Sequence, residues 1–202
     1  MENTAANRIE EILHFWFGDL QTINLEERVK LWFGGEEETD RLIRDKFEPD
    51  LLQAISGELA RWEETPRGSL ALIILLDQFS RNIYRNTPRA FAQDKMALGI
   101  CLRGMDQGKD LVLDLLERVF FYLPMEHAEN LEIQRKSVKA FESLVKAAPP
   151  DMKNTFESFL DYAVRHYAII EKFGRFPHRN EILGRASTPE ELEFLTQPGS
   201  SF

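Results

Sequence analysis

Apolar residues recur at intervals of three and four along nearly the whole chain, and no other feature constrains its fold as strongly. Ile9, Ile12, Leu13, Trp16 and Phe17 form one helical stripe, and Gly18 is a natural stop for it. Helical patterns follow over 36–47 and, with a break near Gly57, over 49–63. Thr65-Pro66-Arg67-Gly68 reads as a turn, and a strongly apolar helix is predicted over 69–84. Thr87 caps the next helix with Pro88 in its first position, and Gly104 lies near its end. Beyond Gly108 a helix runs to Tyr122, where Pro124 breaks or kinks it, and another covers 125–147. Pro149-Pro150 separates that one from a long helix over 151–173. Thr188-Pro189-Glu190-Glu191 is a capping box that opens a last short helix to Leu195.

Strand signals are almost absent, with no Asn-Gly or Asp-Gly between alternating runs and no strand–helix–strand rhythm. The short connections predict antiparallel neighbours, as hairpins over 69–104, 111–147 and 151–195. The expected fold is therefore all-α, built of stacked antiparallel helical hairpins, although the tetratricopeptide W-x₂-L-G-x₂-Y pattern is missing. No linker interrupts the pattern, so one all-helical domain is expected over 1–202, with helices in 4–63 as a semi-separate subdomain.

Composition narrows the function classes. A chain of 202 residues, 43% apolar and 29% charged, can bury a core without a disulfide or structural metal. The single cysteine, Cys101, excludes an intrachain disulfide and any multi-cysteine metal site. A net charge of −9 and no continuous basic stripe argue against a nucleic-acid partner. Residues 1–12 carry Glu2, Glu10 and Glu11 and lack the basic and apolar regions of a secretory leader. The longest apolar run, Leu70 to Leu76, falls far short of the ~20 residues of a membrane span. A cytoplasmic protein with no membrane partner is expected; oligomeric state is left open. No cofactor is expected, because G-x-G-x-x-G and the P-loop are absent, and so is the G-x-S-x-G elbow.

Polar groups fall where burial is demanded. Asp77, Arg81 and Arg85 lie four residues apart on the apolar helix over 69–84, beside Gln78 and Asn82. In the helix over 125–147, Val138, Phe141, Leu144 and Val145 share a face which, projected back, carries Glu126, His127, Asn130 and Gln134. The opposite face, with Glu132, Arg135, Lys139 and Glu142, is a solvated surface, and Glu129 projects to its margin. His166 falls on the apolar face made by Phe159, Tyr162, Ile170 and Phe173, and the turn Gly174-Arg175-Phe176-Pro177-His178-Arg179-Asn180 follows.

Buried charges must pair, bind a ligand or line a wet cleft. As a brace, Arg81 or Arg85 would pair with Asp77 or Glu126, His127 and His166 would be satisfied core histidines, and the function would lie in interactions on an outer surface. Phe15, Trp16, Phe17, Trp32 and Phe33 read as core aromatics. As a binding module, the groove would hold a small anionic molecule or an acidic peptide through Arg81, Arg85, Arg175, Arg179 and His178, because the arginine fork suits carboxylate and phosphate. Four arginines against Asp77 and Glu126 leave a local sum of +2, and the helix expected from Asn180 to Leu183 would add free N–H groups. As a metal-independent enzyme, Glu126 and His127 would act as acid and base, with Arg81 stabilising an oxyanion. Glu126, His127, His166 and His178 contain metal-ligand types, but no two histidines stand at i, i+4, so no metal is expected.

The same segments carry a family resemblance. Ile12-Leu13-His14-Phe15-Trp16-Phe17-Gly18 is one part, and Asp77-Gln78-Phe79-Ser80-Arg81-Asn82-Ile83-Tyr84-Arg85 with Thr87-Pro88-Arg89-Ala90-Phe91 is another. Phe121-Tyr122-Leu123-Pro124-Met125-Glu126-His127 and Phe173-Gly174-Arg175-Phe176-Pro177-His178-Arg179-Asn180 complete it. Together they resemble a bacterial family of unknown function. The resemblance implies a tetratricopeptide-like all-helical fold and implies no activity. The family more often has proline where Ser80 stands, and the ending Gly199-Ser200-Ser201-Phe202 departs from its usual Gly-Phe-Ser-aromatic.

Overall fold

The computed structural model describes residues 2–20 and 22–200. Ser201 and Phe202, part of the divergent ending, lie outside the described residues. All regular elements among the described residues are helical. They are α1 (Glu2–Phe17), α2 (Leu25–Phe33), α3 (Glu37–Ser56), α4 (Pro66–Ile73), α5 (Ser80–Ile83), α6 (Asp94–Asp106), α7 (Leu115–Glu126), α8 (Leu131–Ala147), α9 (Lys153–Phe173) and α10 (Pro189–Leu195). Short 3₁₀ turns at Ala60–Glu64, Pro88–Phe91, Asp110–Val112 and Pro177–Arg179 join them. No described helix is long and apolar enough to cross a membrane.

Side-chain caps account for several boundaries. Asn24, Thr65 and Asn130 each accept a hydrogen bond from the backbone N–H three residues on, opening α2, α4 and α8. Thr188 and Glu191 close the expected capping box at α10. Thr65-Pro66 is thus a cap and first helical position and not a separate turn, since proline's missing N–H costs nothing there.

The sequence reading missed α2, a nine-residue helix too short to show a full stripe. It also broke the third helix at proline. Instead α3 runs through Pro49, which faces solvent, so the carbonyl that loses its donor stays on the wet side. Pro124 likewise lies inside α7. Thr87-Pro88 opens only a 3₁₀ turn, and the helix proper starts at Asp94. Residues 180–184 form a turn, so the helix expected from Asn180 is not there.

The helix expected over 69–84 is present with one change of period. Between α4 and α5, Ile74–Phe79 is a π-helical turn whose residues are all buried. An inserted π turn adds a residue to one coil and re-aims the side chains that follow, so faces projected from a uniform 3.6 period stop holding there.

The chain divides into two compact units: the first comprises the chain up to Arg85 with Arg89–Pro124, the second Asn86–Pro88 with the chain from Met125 onward. In the first, Trp16, Phe47, Phe79 and Phe120 interlock, with ring centres 4.9 Å apart for Phe47–Phe79 and 5.7 Å for Trp16–Phe120. Trp32 joins at 4.7 Å from Phe120, but Phe33 is 54% exposed, so the expectation that it is core does not hold. Gly104 lets α6 approach α7, since a Cβ there would lie 2.5 Å from the Phe121 ring.

In the second unit α8 and α9, joined by 148–152, pack along their length as a hairpin. Phe141 and Leu144 are buried as expected, and Glu132, Arg135, Lys139 and Glu142 are exposed. Tyr162, expected on the apolar face of α9, is 51% exposed. Ile169, Ile170 and Phe176 form a cluster against which Leu131, Phe173 and Phe194 pack. Gly174, at φ +69°, ends α9 in the left-handed conformation and turns the chain into Arg175–Asn180.

Candidate functional site

The polar residues singled out in the sequence fall in both units. In the first, Asp77 lies on the π turn, completely buried. Arg81 Nη1 stands 3.1 Å from Asp77 Oδ1 and 3.0 Å from Asp94 Oδ1, and donates to the Asp77 carbonyl at 2.6 Å. Arg85 forks onto Asp40 at 2.5 and 2.7 Å, and Asn82 donates to the same carboxylate at 2.8 Å. Burial alone would lower the Arg81 pKa, but the Asp77 and Asp94 charges outweigh it and raise it. Burial would raise Asp40, but hydrogen bonds from Arg85 and Asn82 bring it below its ordinary value.

The sequence pointed to Asp77 or, from another helix, Glu126 as the partner of Arg81 or Arg85. Arg81 does meet Asp77, but the carboxylates from other helices are Asp94 on α6 and Asp40 on α3, not Glu126. Arg175 is also committed, forking onto Glu191 at 2.7 and 2.8 Å. The local sum of +2 therefore does not stand. It left out Asp40, Asp94 and Glu191, which lie on segments the helix projection never brought to that surface.

The second unit holds the tighter gathering. Glu126 ends α7, His127 follows it, and Asn130 caps α8. One turn on, Gln134 is fully buried, and its Nε2 donates to the carbonyls of Glu126 at 2.5 Å and Ala128 at 2.9 Å. This amide pins the turn that presents Glu126 and His127. From the middle of α9, His166 brings Nδ1 to 3.1 Å from Glu126 Oε1 and 2.8 Å from the Tyr162 carbonyl. One ligand atom each from Glu126, His127 and His166 lies within 4.8 Å of the others. Glu126 and His166 are both 4% exposed; His127 is half-buried.

The turn after α9 closes around this group. The Phe176 ring centre lies 5.4 Å from that of His166 and 5.6 Å from that of His178. The Arg179 guanidinium sits 4.4 Å from the same ring centre, and its Nη1 donates to the His127 carbonyl at 3.2 Å. Burial, then repulsion from His127 and Arg179, pushes the His166 pKa down to about 3. Burial and the Arg179 charge push His178 down to about 4. Both imidazoles are therefore neutral at pH 7, and the His166–Glu126 contact is a hydrogen bond from a neutral ring.

Other residues expected at the site brace it. Asn180 donates to Glu191 at 3.2 Å and accepts from Arg185 at 2.9 Å. Arg185 forks onto Glu129 at 2.7 and 2.9 Å, and Glu129 accepts from the Phe176 N–H at 2.8 Å. Helix projection set Glu129 at the margin of the solvated face, and Arg185 and Glu191 were not counted as site-forming residues. Glu191 carried a sequence signal, as the N3 residue of the capping box. Beside this turn a cleft of about 520 Å³ is lined by Pro177, His178, Glu181, Arg185, Leu192 and Ser200.

A protein of unknown function from Agrobacterium tumefaciens, ATU0120, has a solved structure similar to this one, with a TM-score of 0.81. The two sequences are 34% identical over 95% of this chain and 98% of the other. No curated protein matches the chain. The sequence profile of the bacterial proteins of unknown function called DUF924 matches residues 12–199, a span that takes in the segments from Ile12 to Asn180 that carry the resemblance, and the chain belongs to that family.

Proposed function

We propose that the working site of this protein is the Glu126–His127–His166 group with His178 and Arg179 around it, and that it binds a small anionic molecule. The observation that carries this reading is a permanent cation, Arg179, 6% exposed, in the same cluster as three imidazoles. Neutral imidazoles offer one donor and one acceptor each, and a guanidinium beside them selects carboxylate or phosphate. Arg81, Arg85 and Arg175 stay outside the ligand's first contacts in this reading, because their forks are spent on carboxylates. The α8–α9 hairpin is taken as one layer of a tetratricopeptide-like stack, and the ligand as a cytoplasmic metabolite or the acidic end of a peptide.

The test is a melting-temperature screen of small carboxylates and phosphates. A ligand at one hundred times its Kd adds about 2.7 kcal/mol, a readily measured rise. The rise should be lost in folded Arg179→Met protein and kept in Arg135→Met protein, whose guanidinium lies on the solvated face of α8. A screen in which no anion moves the wild-type transition overturns the reading.

The Glu126–His166 hydrogen bond favours a second reading, a metal-independent acid–base enzyme. A carboxylate that orients an imidazole, with His127 as second proton carrier, is the arrangement proton transfer uses. Turnover of a bound anion that disappears in Glu126→Gln protein, with binding retained, would separate it from simple binding.

A further inference from the structure

The second unit brings together two imidazoles and a carboxylate from two elements distant in sequence, the end of α7 and the middle of α9. We propose that Glu126, His127 and His166 form a site for one divalent transition-metal ion, with zinc the ion this donor set suits best. The inference goes beyond anion binding and does not depend on it.

The donor set comes first. Two nitrogens and one oxygen suit zinc and its first-row neighbours; calcium and magnesium prefer oxygen alone. Three protein ligands leave the fourth tetrahedral position for water or an exogenous group, as catalytic zinc sites do. Geometry comes second. Bonds of ~2.0–2.2 Å in a tetrahedron set the donors about 3.4 Å apart. Here the donors lie within 4.8 Å of one another, so side-chain rotations of about an ångström close the site. His127 is the half-buried member beyond the helix end, and so the one best able to turn.

The support around the ligands is third. His166 Nδ1 faces two acceptors, the Tyr162 carbonyl and Glu126 Oε1, which puts its proton there and the lone pair on Nε2. A ligating histidine is oriented in this way, through a hydrogen bond from its other nitrogen. A carboxylate has two oxygens, and this contact is made by Oε1. Gln134 holds the Glu126 backbone in place, so two of the three ligands are fixed before any ion arrives.

Arg179 opposes a cation. Its charge makes the site weaker than a closed structural zinc centre and open to chelators. It also gives a bound ion a partner in holding an anion.

The full chain, stripped with EDTA and dialysed free of it, should take up one equivalent of Zn²⁺ by titration calorimetry. Co²⁺ should give the visible absorption bands of a tetrahedral nitrogen and oxygen site. His127→Ala and Glu126→Gln should each lose at least tenfold in affinity. His14→Ala, at an exposed position of α1 in the other unit, should change nothing. His127, being half-buried, can be removed without opening the core, so the test does not hang on His166→Ala folding. No stoichiometric uptake, or uptake indifferent to both His127→Ala and Glu126→Gln, overturns the inference. Anion binding measured in the stripped protein keeps the two readings apart: an anion that binds without metal leaves the anion reading standing when the metal fails. Stoichiometric metal with no anion response overturns only the anion reading.

Discussion

At the scale of single residues, the site is held by groups that are not themselves reactive. Gln134 is the clearest. Its amide nitrogen serves two carbonyls in the turn between α7 and α8, and no solvent reaches it. Gln134→Leu keeps the volume and removes both hydrogen bonds, stranding two acceptors. Urea unfolding should show a loss of about 1–3 kcal/mol. The same variant should weaken zinc binding although it deletes no ligand. Sequence reading placed Gln134 on the right face because helical spacing is a local property. It took the side chain for a ligand contact because its acceptors are backbone carbonyls, which no side-chain pattern records. Asn130 and Asn180 went the same way, one to a helix cap and the other to Glu191.

At the scale of elements, the π turn between α4 and α5 makes a buried Asp77 tolerable by delivering Arg81 to it. Removing the cation leaves Asp77 buried and Asp94 without its guanidinium contacts. Arg81→Met should therefore cost about 3–5 kcal/mol in chemical unfolding. By contrast Arg135, exposed and paired with Glu132 on the same helix, should cost under about 0.5 kcal/mol as Arg135→Ala. A second element contact is tighter. Gly104→Ala puts a methyl 2.5 Å from the Phe121 ring carbon, and the completely buried Phe121 has little room to yield. A loss of about 1–3 kcal/mol in the same assay is expected. The capping box marked α10 correctly, because a cap is satisfied within four residues, whereas the helix expected over 125–147 starts only at Leu131, behind the Asn130 cap. The π turn was illegible, since a change of helical period follows from what the helix packs against.

At the scale of the whole molecule, stability depends on acid through groups that only the fold buries or pairs. Glu191 is held down to about 2 by the Arg175 hydrogen bonds, opposed by burial and helped by the Thr188 N–H. Its folded pKa lies below the unfolded value, so its contribution is complete above about pH 4.5 and disappears as the pH falls toward 2. His178 is neutral in the fold with a pKa of about 4, against 6.5 when free. The unfolded chain protonates first, so stability falls between pH 6.5 and about 4. Denaturant midpoints measured across pH should show both limbs. His178→Gln should reduce the upper limb without abolishing it, because His166, at about 3 against 6.5, contributes over the same range, and Glu191→Gln should reduce the lower.

The amino-acid sequence by itself determined the helical class and most helix positions; it grouped Glu126, His127, His166, His178 and Arg179 only together with Asp77, Arg81 and Arg85, which belong to the other unit. Helical period, caps and proline effects act within a few residues, so they are written locally. Only the tertiary structure decided which charges meet. Arg81, Arg85 and Arg175 could each have served a ligand, and the carboxylates that claim them come from α3, α6 and α10. Only there, too, does His166 reach Glu126 across forty positions of sequence. Pairing energies depend on distance in space, and a one-dimensional pattern carries no distance between α7 and α9.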